Sequence, residues 1–188
     1  MNTKKMVGLG LFTAIVVVLQ LLGGGIRFGI FSISLVLVPI VVGAAVYGWQ
    51  AGAWLGFTFG AAVLLSGDAN AFMIVDPIAT VGVVIVKGIM CGLMSGLAYR
   101  VLGKINKVVG VLAAAIVCPL VNTGVFLLGC MLFFLETISG WAAMYGYENA
   151  GTYMIFGLAG VNFLIELGVN LVLAPVITRI INLSRKTI

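Results

Sequence analysis

Two ionisable side chains stand in the middle of long apolar runs. Lys87 lies about ten residues into the run that starts at Pro77, and Glu166 about thirteen into the run that starts at Tyr153. At ~1.5 Å per residue these positions are roughly 15 and 20 Å along helices that have a hydrocarbon core of about 30 Å to cross. An unpaired charge at that depth costs at least ~2.5–3.5 kcal/mol on insertion scales, so each group needs a partner, a hydrated cavity or a ligand. A Lys87–Glu166 ion pair is the first expectation. Asn162, Glu166 and Asn170 follow one another at intervals of four, which sets them on one helical face, and Asn122 with Thr123 enters another apolar run at comparable depth. Such a stripe belongs inside a bundle. Two chemistries fit it: a polar network that fixes helix register, or the floor of a solute pocket. The pocket is the expected one, because intramembrane ionisable groups are functional by default.

The segments between the runs fit the same expectation. Gly23-Gly24-Gly25-Ile26-Arg27-Phe28-Gly29 can fold over a site and bring Arg27 to it, and Ser66-Gly67-Asp68-Ala69-Asn70 is a turn-forming run that offers Asp68 and Asn70. Trp141, Tyr145, Tyr147 and Tyr153 can wall a pocket with one polar end wet. An interfacial aromatic belt is the other use of such residues.

Other chemistries are excluded. The chain has no His, which removes imidazole bases, His-ligated zinc and Ser-His-Asp arrangements. Cys91, Cys118 and Cys130 all lie inside apolar runs and read as buried hydrophobes. Gly103-Lys104 is preceded five residues earlier by Ala98, so no phosphate-cradling G-x-x-x-x-G-K is present. Five acidic residues, four of them between runs, leave no paired-carboxylate or metal site. The expectation is a protein that is not an enzyme, with no catalytic residue, no metal and no cofactor. The basic residues are not interleaved with aromatics, which argues against nucleic acid.

The elements that position these groups follow from composition. Of 188 residues, 63% are hydrophobic and 8% charged, against roughly 45–50% and ~25% in ordinary globular domains. Mean hydropathy is +1.29. Too little polar surface is available to coat a water-facing globule, so lipid is the solvent. Six runs are long enough to cross it, at about 6–22, 34–47, 49–65, 77–102, 108–135 and 153–181. Pro39 stands near the start of the second, Pro77 suits a first helical turn, and Pro119 and Pro175 are expected to bend the last two. The first run follows Lys4 and Lys5 as a signal peptide would, but Gly23-Gly24-Gly25 is a poor cleavage site.

Charge sets orientation. Lys4 and Lys5 precede the first run, Arg100, Lys104 and Lys107 separate the fourth from the fifth, and Arg179, Arg185 and Lys186 close the chain. With six spans all three clusters fall on one side, which the positive-inside rule makes cytoplasmic, while Asp68, Asp76, Glu136 and Glu148 fall on the other. The fold expected is an all-α integral membrane protein of six transmembrane helices with both termini cytoplasmic, as one domain over residues 1–188.

Glycine, 26 copies in all, is placed to pack these helices. Gly48, Gly52, Gly56 and Gly60 recur every four residues in the third run, as do Gly88, Gly92 and Gly96 in the fourth, and such faces let neighbouring backbones touch. Gly10 and Ala14 form a similar small pair in the first run, suited to docking another membrane protein.

These residues together resemble a known family, the substrate-binding S components of energy-coupling factor (ECF) vitamin transporters. The likeness spans almost the whole chain. It is most specific in Ser34-Leu35-Val36-Leu37-Val38-Pro39-Ile40-Val41-Val42-Gly43-Ala44-Ala45-Val46-Tyr47-Gly48, in Ala51-Gly52-Ala53-Trp54-Leu55-Gly56-Phe57-Thr58-Phe59-Gly60, in Val86-Lys87-Gly88 through Gly96, and in Pro119-Leu120-Val121-Asn122-Thr123-Gly124-Val125-Phe126. Gly10 and Ala14 sit where that family has an Ala-x-x-x-Ala motif; here Gly replaces the first Ala. The resemblance implies a prokaryotic plasma-membrane protein that binds a vitamin or related micronutrient from outside. It further implies docking through Gly10 and Ala14 onto a transmembrane T subunit with two cytoplasmic ATPases, and transport by toppling of the loaded component. Pantothenate ranks slightly ahead of riboflavin and folate. The competing expectation is a stand-alone small secondary carrier or channel in which Lys87 and Glu166 relay protons or ions.

Overall fold

Apolar runs without water to satisfy their backbones fold as helices, and nine α-helices carry the chain among the residues described. The structure, a computed structural model, describes residues 3–23, 27, 28, 31, 32 and 35–187, with the side chains of 27, 28, 31, 32, 161 and 183–187 left aside. The helices are α1 (Thr3–Gly23), α2 (Leu37–Tyr47), α3 (Trp49–Ser66), α4 (Asn70–Met73), α5 (Pro77–Leu102), α6 (Lys107–Phe133), α7 (Leu135–Met144), α8 (Ala150–Thr152) and α9 (Val161–Thr187). A π-helical segment, Tyr153–Gly160, leads into α9, and a two-residue ladder, β1 (Arg27–Phe28) with β2 (Phe31–Ser32), follows α1.

Helix ends follow local chemistry. Asp76 caps α5 by accepting the amide of Ala79 at 3.0 Å, with Pro77 in the first turn where its missing N–H costs nothing. Asn106 caps α6 by accepting the Val108 amide at 2.9 Å. Gly67 ends α3 in the left-handed region, at φ 80°. Gly48 does not join the α3 seam as its spacing predicts: at φ 102° and ψ 169° it breaks the chain between α2 and α3, a conformation that L side chains rarely adopt.

Four helical stretches are long and apolar enough to cross a membrane: Thr3–Gly23, Pro77–Leu102, Lys107–Phe133 and Ala150–Asn182. The chain is an integral membrane protein. Of the six runs expected to cross, the second and third are not among these four: α2 has 11 residues, about 17 Å, and glycine and polar residues dilute the 18 of α3.

α3 and α5 form the centre of the bundle, and glycine explains why. A Cβ added at Gly52 or Gly56 would collide with the carbonyl oxygen of Gly92 or Gly88, and one at Gly60 would lie 2.8 Å from the Val84 carbonyl oxygen. Gly88 and Gly92 meet Gly56 and Gly52 in return, so two backbones touch without intervening side chains. Around this seam, Leu37, Ile40, Val41, Leu55, Cys91, Val111 and Ile177 form a fully buried core. Cys91, Cys118 and Cys130 are buried free thiols, as their apolar settings predict.

Two polar contacts fix the ends of the bundle. Gln20, at the close of α1, donates to Ser66, the last residue of α3, at 3.4 Å and to Asp68 just beyond it at 2.6 Å. Lys107, at the start of α6, donates to Asn182 near the end of α9 at 3.5 Å. The start of α1, the α5–α6 junction and the end of α9 therefore share one end of the bundle, which gathers the basic residues there.

Candidate functional site

At the opposite end, α3, α5, α6 and α9 line a cavity of about 330 Å³, near the lower bound of ~300–1,000 Å³ for small-molecule sites. Helix α7 and the Tyr153–Gly160 segment close its side.

The polar floor assembles residues far apart in sequence. Lys87 from α5, Asn122 and Thr123 from α6, and Asn162 and Glu166 from α9 all line the cavity, with Asp68 from the α3–α4 turn. Glu166 is 2% exposed. Its two carboxylate oxygens each accept an amide: Asn122 Nδ2 donates to Oε2 at 3.5 Å and Asn162 Nδ2 to Oε1 at 3.3 Å. Asn170 does not reach the cavity. It is buried behind it and donates Nδ2 to the Glu166 backbone carbonyl at 2.8 Å, one helical turn away.

Lys87 does not form the expected ion pair. Among the described residues it has no salt bridge within 4.0 Å; its ammonium instead lies over the Phe126 and Phe59 rings, 5.3 and 5.6 Å from their centroids. Desolvated cation–π contacts of this kind contribute ~2 kcal/mol. They stabilise the charge without consuming its N–H donors.

Aromatic side chains make the wall. Phe72 is the hub, with Phe134, Trp141 and Phe126 packed edge-on at 5.1, 5.2 and 5.6 Å. Edge-to-face packing of this kind satisfies the ring quadrupoles and holds the rings in fixed orientation. Tyr145 stacks on Tyr153 at 5.7 Å and 12°, and both line the cavity with Trp141. Tyr147 is a correction to the expected wall, since it packs against Tyr153 at 5.1 Å without lining the cavity.

Asn70 is a second correction. It is exposed at the start of α4, and its neighbours Ala69 and Ala71 line the cavity in its place. The side chain of Arg27 lies outside the described residues, although its backbone belongs to β1. Gln20 was not expected at the site: it is the sole buried polar residue of α1, lines the cavity, and bonds Asp68. A glutamine closing an apolar run just before a glycine loop is the signal that points to it.

Gly10 and Ala14 lie far from this cavity, both exposed on α1. A Cβ at Gly10 would meet nothing within 4 Å. No group of His, Cys, Asp or Glu among the described residues is arranged to hold a metal.

Residues 4–178 match the family model described as ECF transporter, substrate-specific component. No curated protein and no solved structure matches the chain.

Proposed function

The chain belongs to the family of ECF transporter substrate-specific components, and from that premise we propose that it captures a vitamin or related micronutrient in the Lys87–Glu166 cavity from outside the cell and delivers it inward with a T subunit and two ATPases. The family makes it a substrate-binding membrane subunit of a transporter and not an enzyme. The observation that carries the finer reading is the cavity itself, in which ionisable groups at membrane depth meet an aromatic wall at the end of the bundle away from the basic clusters. The positive-inside rule then makes that end extracellular, with six crossings and both termini in the cytoplasm. Gly10 and Ala14 supply the docking face for the T subunit, because a small-residue stripe with nothing packed on it allows close approach of another helix. Among vitamins pantothenate ranks ahead of riboflavin and folate, on the strength of Lys87 as a receptor for an acid.

Native mass spectrometry after mild detergent purification tests this. The expected result is one retained small molecule at one copy per chain, together with T and ATPase subunits on affinity capture from cells of its source. An apo spectrum with no saturable binding removes the pocket, and uptake into liposomes by the purified chain alone replaces the ATP-driven subunit with a self-sufficient carrier.

A further inference from the structure

The cavity floor contains a mismatch of hydrogen-bonding partners. A carboxylate only accepts, so the asparagines that serve Glu166 must turn their NH₂ groups toward it. Asn122 and Asn162 do so. Their oxygens are then left over: Asn122 Oδ1 and Asn162 Oδ1 are buried with no hydrogen-bond partner. Lys87 shows the reverse. Its ammonium, held over two phenyl rings, has N–H donors and neither a hydrogen bond nor an ion pair among the described residues. The same cavity thus holds a cation with spare donors and two acceptors without donors, and the protein does not join them.

We infer that the site is built for a small carboxylic acid that also carries N–H or O–H donors, with the acid on Lys87, the donors on Asn122 and Asn162, and Glu166 acting as a positioning residue that orients both amides. This rests on the pocket reading above and specifies its ligand. Other ligand charges fit worse. A cation would compete with two asparagine amides for Glu166 while facing Lys87. A neutral molecule would leave the Lys87 N–H donors without a charged acceptor in contact, because both Glu166 oxygens are already taken by the asparagine amides. Asp68, the remaining acid on the cavity lining, accepts from Gln20 at the rim.

The test is a binding screen on the full-length chain in detergent, read by the fluorescence of Trp141 and by calorimetry. The probes are N-acyl amino acids, hydroxy acids and pantothenate; the same compounds with the carboxylate reduced to an alcohol; their N-methylated or O-methylated forms; and donor-free alkanoic acids. Binders are expected in the first set, losing about 100-fold on removal of the acid and about tenfold on methylation of a donor. Lys87→Met abolishes the first difference and Lys87→Arg preserves it. Glu166→Gln, whose amide lets one asparagine turn round, collapses the donor/methyl ratio at an unchanged melting temperature, which a merely structural role would not do. Should that variant fail to fold, Asn122→Leu in an otherwise intact floor reads the same ratio. Equal binding of alcohols, methylated forms or alkanoic acids overturns the inference, as does a first set with no binders. In that last case a compound still retained in the native mass spectrum leaves the pocket reading standing, and an empty spectrum removes both.

Discussion

Helices α1 and α5 are both long and apolar enough to cross a bilayer, and both carry small residues four apart. Their settings are opposite. Of α5, nine residues are buried, including Gly88, Gly92 and Gly96, whereas α1 buries only Val16 and Gln20. What meets the missing side chain separates them. At Gly88 it is the Gly56 carbonyl oxygen on α3, and at Gly10 it is nothing within 4 Å. Small-xxx-small spacing therefore announces a close approach without saying whether the approaching surface lies within the chain or outside it. On α5 the partner is already present; at Gly10 on α1 no other element of the chain takes that place.

Identical substitutions on the two helices break or sharpen this contrast. Gly88→Ala puts a methyl group against the rigid α3 backbone and should cost about 3 kcal/mol, the upper end for overpacking, since no flexible side chain is there to yield. Gly10→Ala has free space and a helical backbone, and should raise stability by ~0.5–1 kcal/mol. Detergent melting curves measure both, and equal costs would erase the distinction. Gln20→Leu should cost about 1 kcal/mol through the loss of its hydrogen bond to Asp68. Hydrogen exchange should then accelerate in the last turn of α1 and at residues 66–68 while α5 stays protected; unchanged exchange would mean that the contact does not hold α1. Ala14→Trp has the smallest expected effect on folding, within about 0.5 kcal/mol, because the position is exposed. It should nevertheless stop cellular uptake while ligand binding by the isolated chain is unchanged. Normal uptake would take the docking role away from α1.

The parts of this structure legible in the sequence are those set by periodicity. α5 begins and ends at Pro77 and Leu102, as its apolar run predicts, because a capping Asp76, a first-turn proline and a terminal Gly103 bracket it. Lys87, Asn122, Thr123, Asn162 and Glu166 converge in one cavity, as expected of polar groups at matched depth. What periodicity does not reach is direction in turns and partners for common residues. Asn70 is exposed and off the cavity lining while Ala69 and Ala71 are on it, a choice within a short turn that the letters do not encode. Residues 135–144 fold as α7, although the aromatics there read as a loop, since Ile138 and Ala142 give it a buried helical stripe too short to stand out in so apolar a chain. Phe72 is the hub of the wall, yet one phenylalanine among 11 carries no signal of its own. The Lys87–Glu166 pair is missed for a related reason: both groups line the cavity, but Lys87 lies over the Phe59 and Phe126 rings and Glu166 accepts from Asn122 and Asn162, partners that helical spacing does not announce.

The α3–α5 seam also has a mechanical meaning. Each glycine faces a carbonyl of the other helix, and between those contacts stand Ile85 and Ile89, whose Cα atoms already lie 3.2 and 3.3 Å from the Cβ positions of Gly60 and Gly56. A slip of one residue along the seam would drive branched side chains into the opposing backbone. The two helices are keyed against each other like parts of one shaft, so a push or a twist applied at one end of the seam is carried to the other without slip between them.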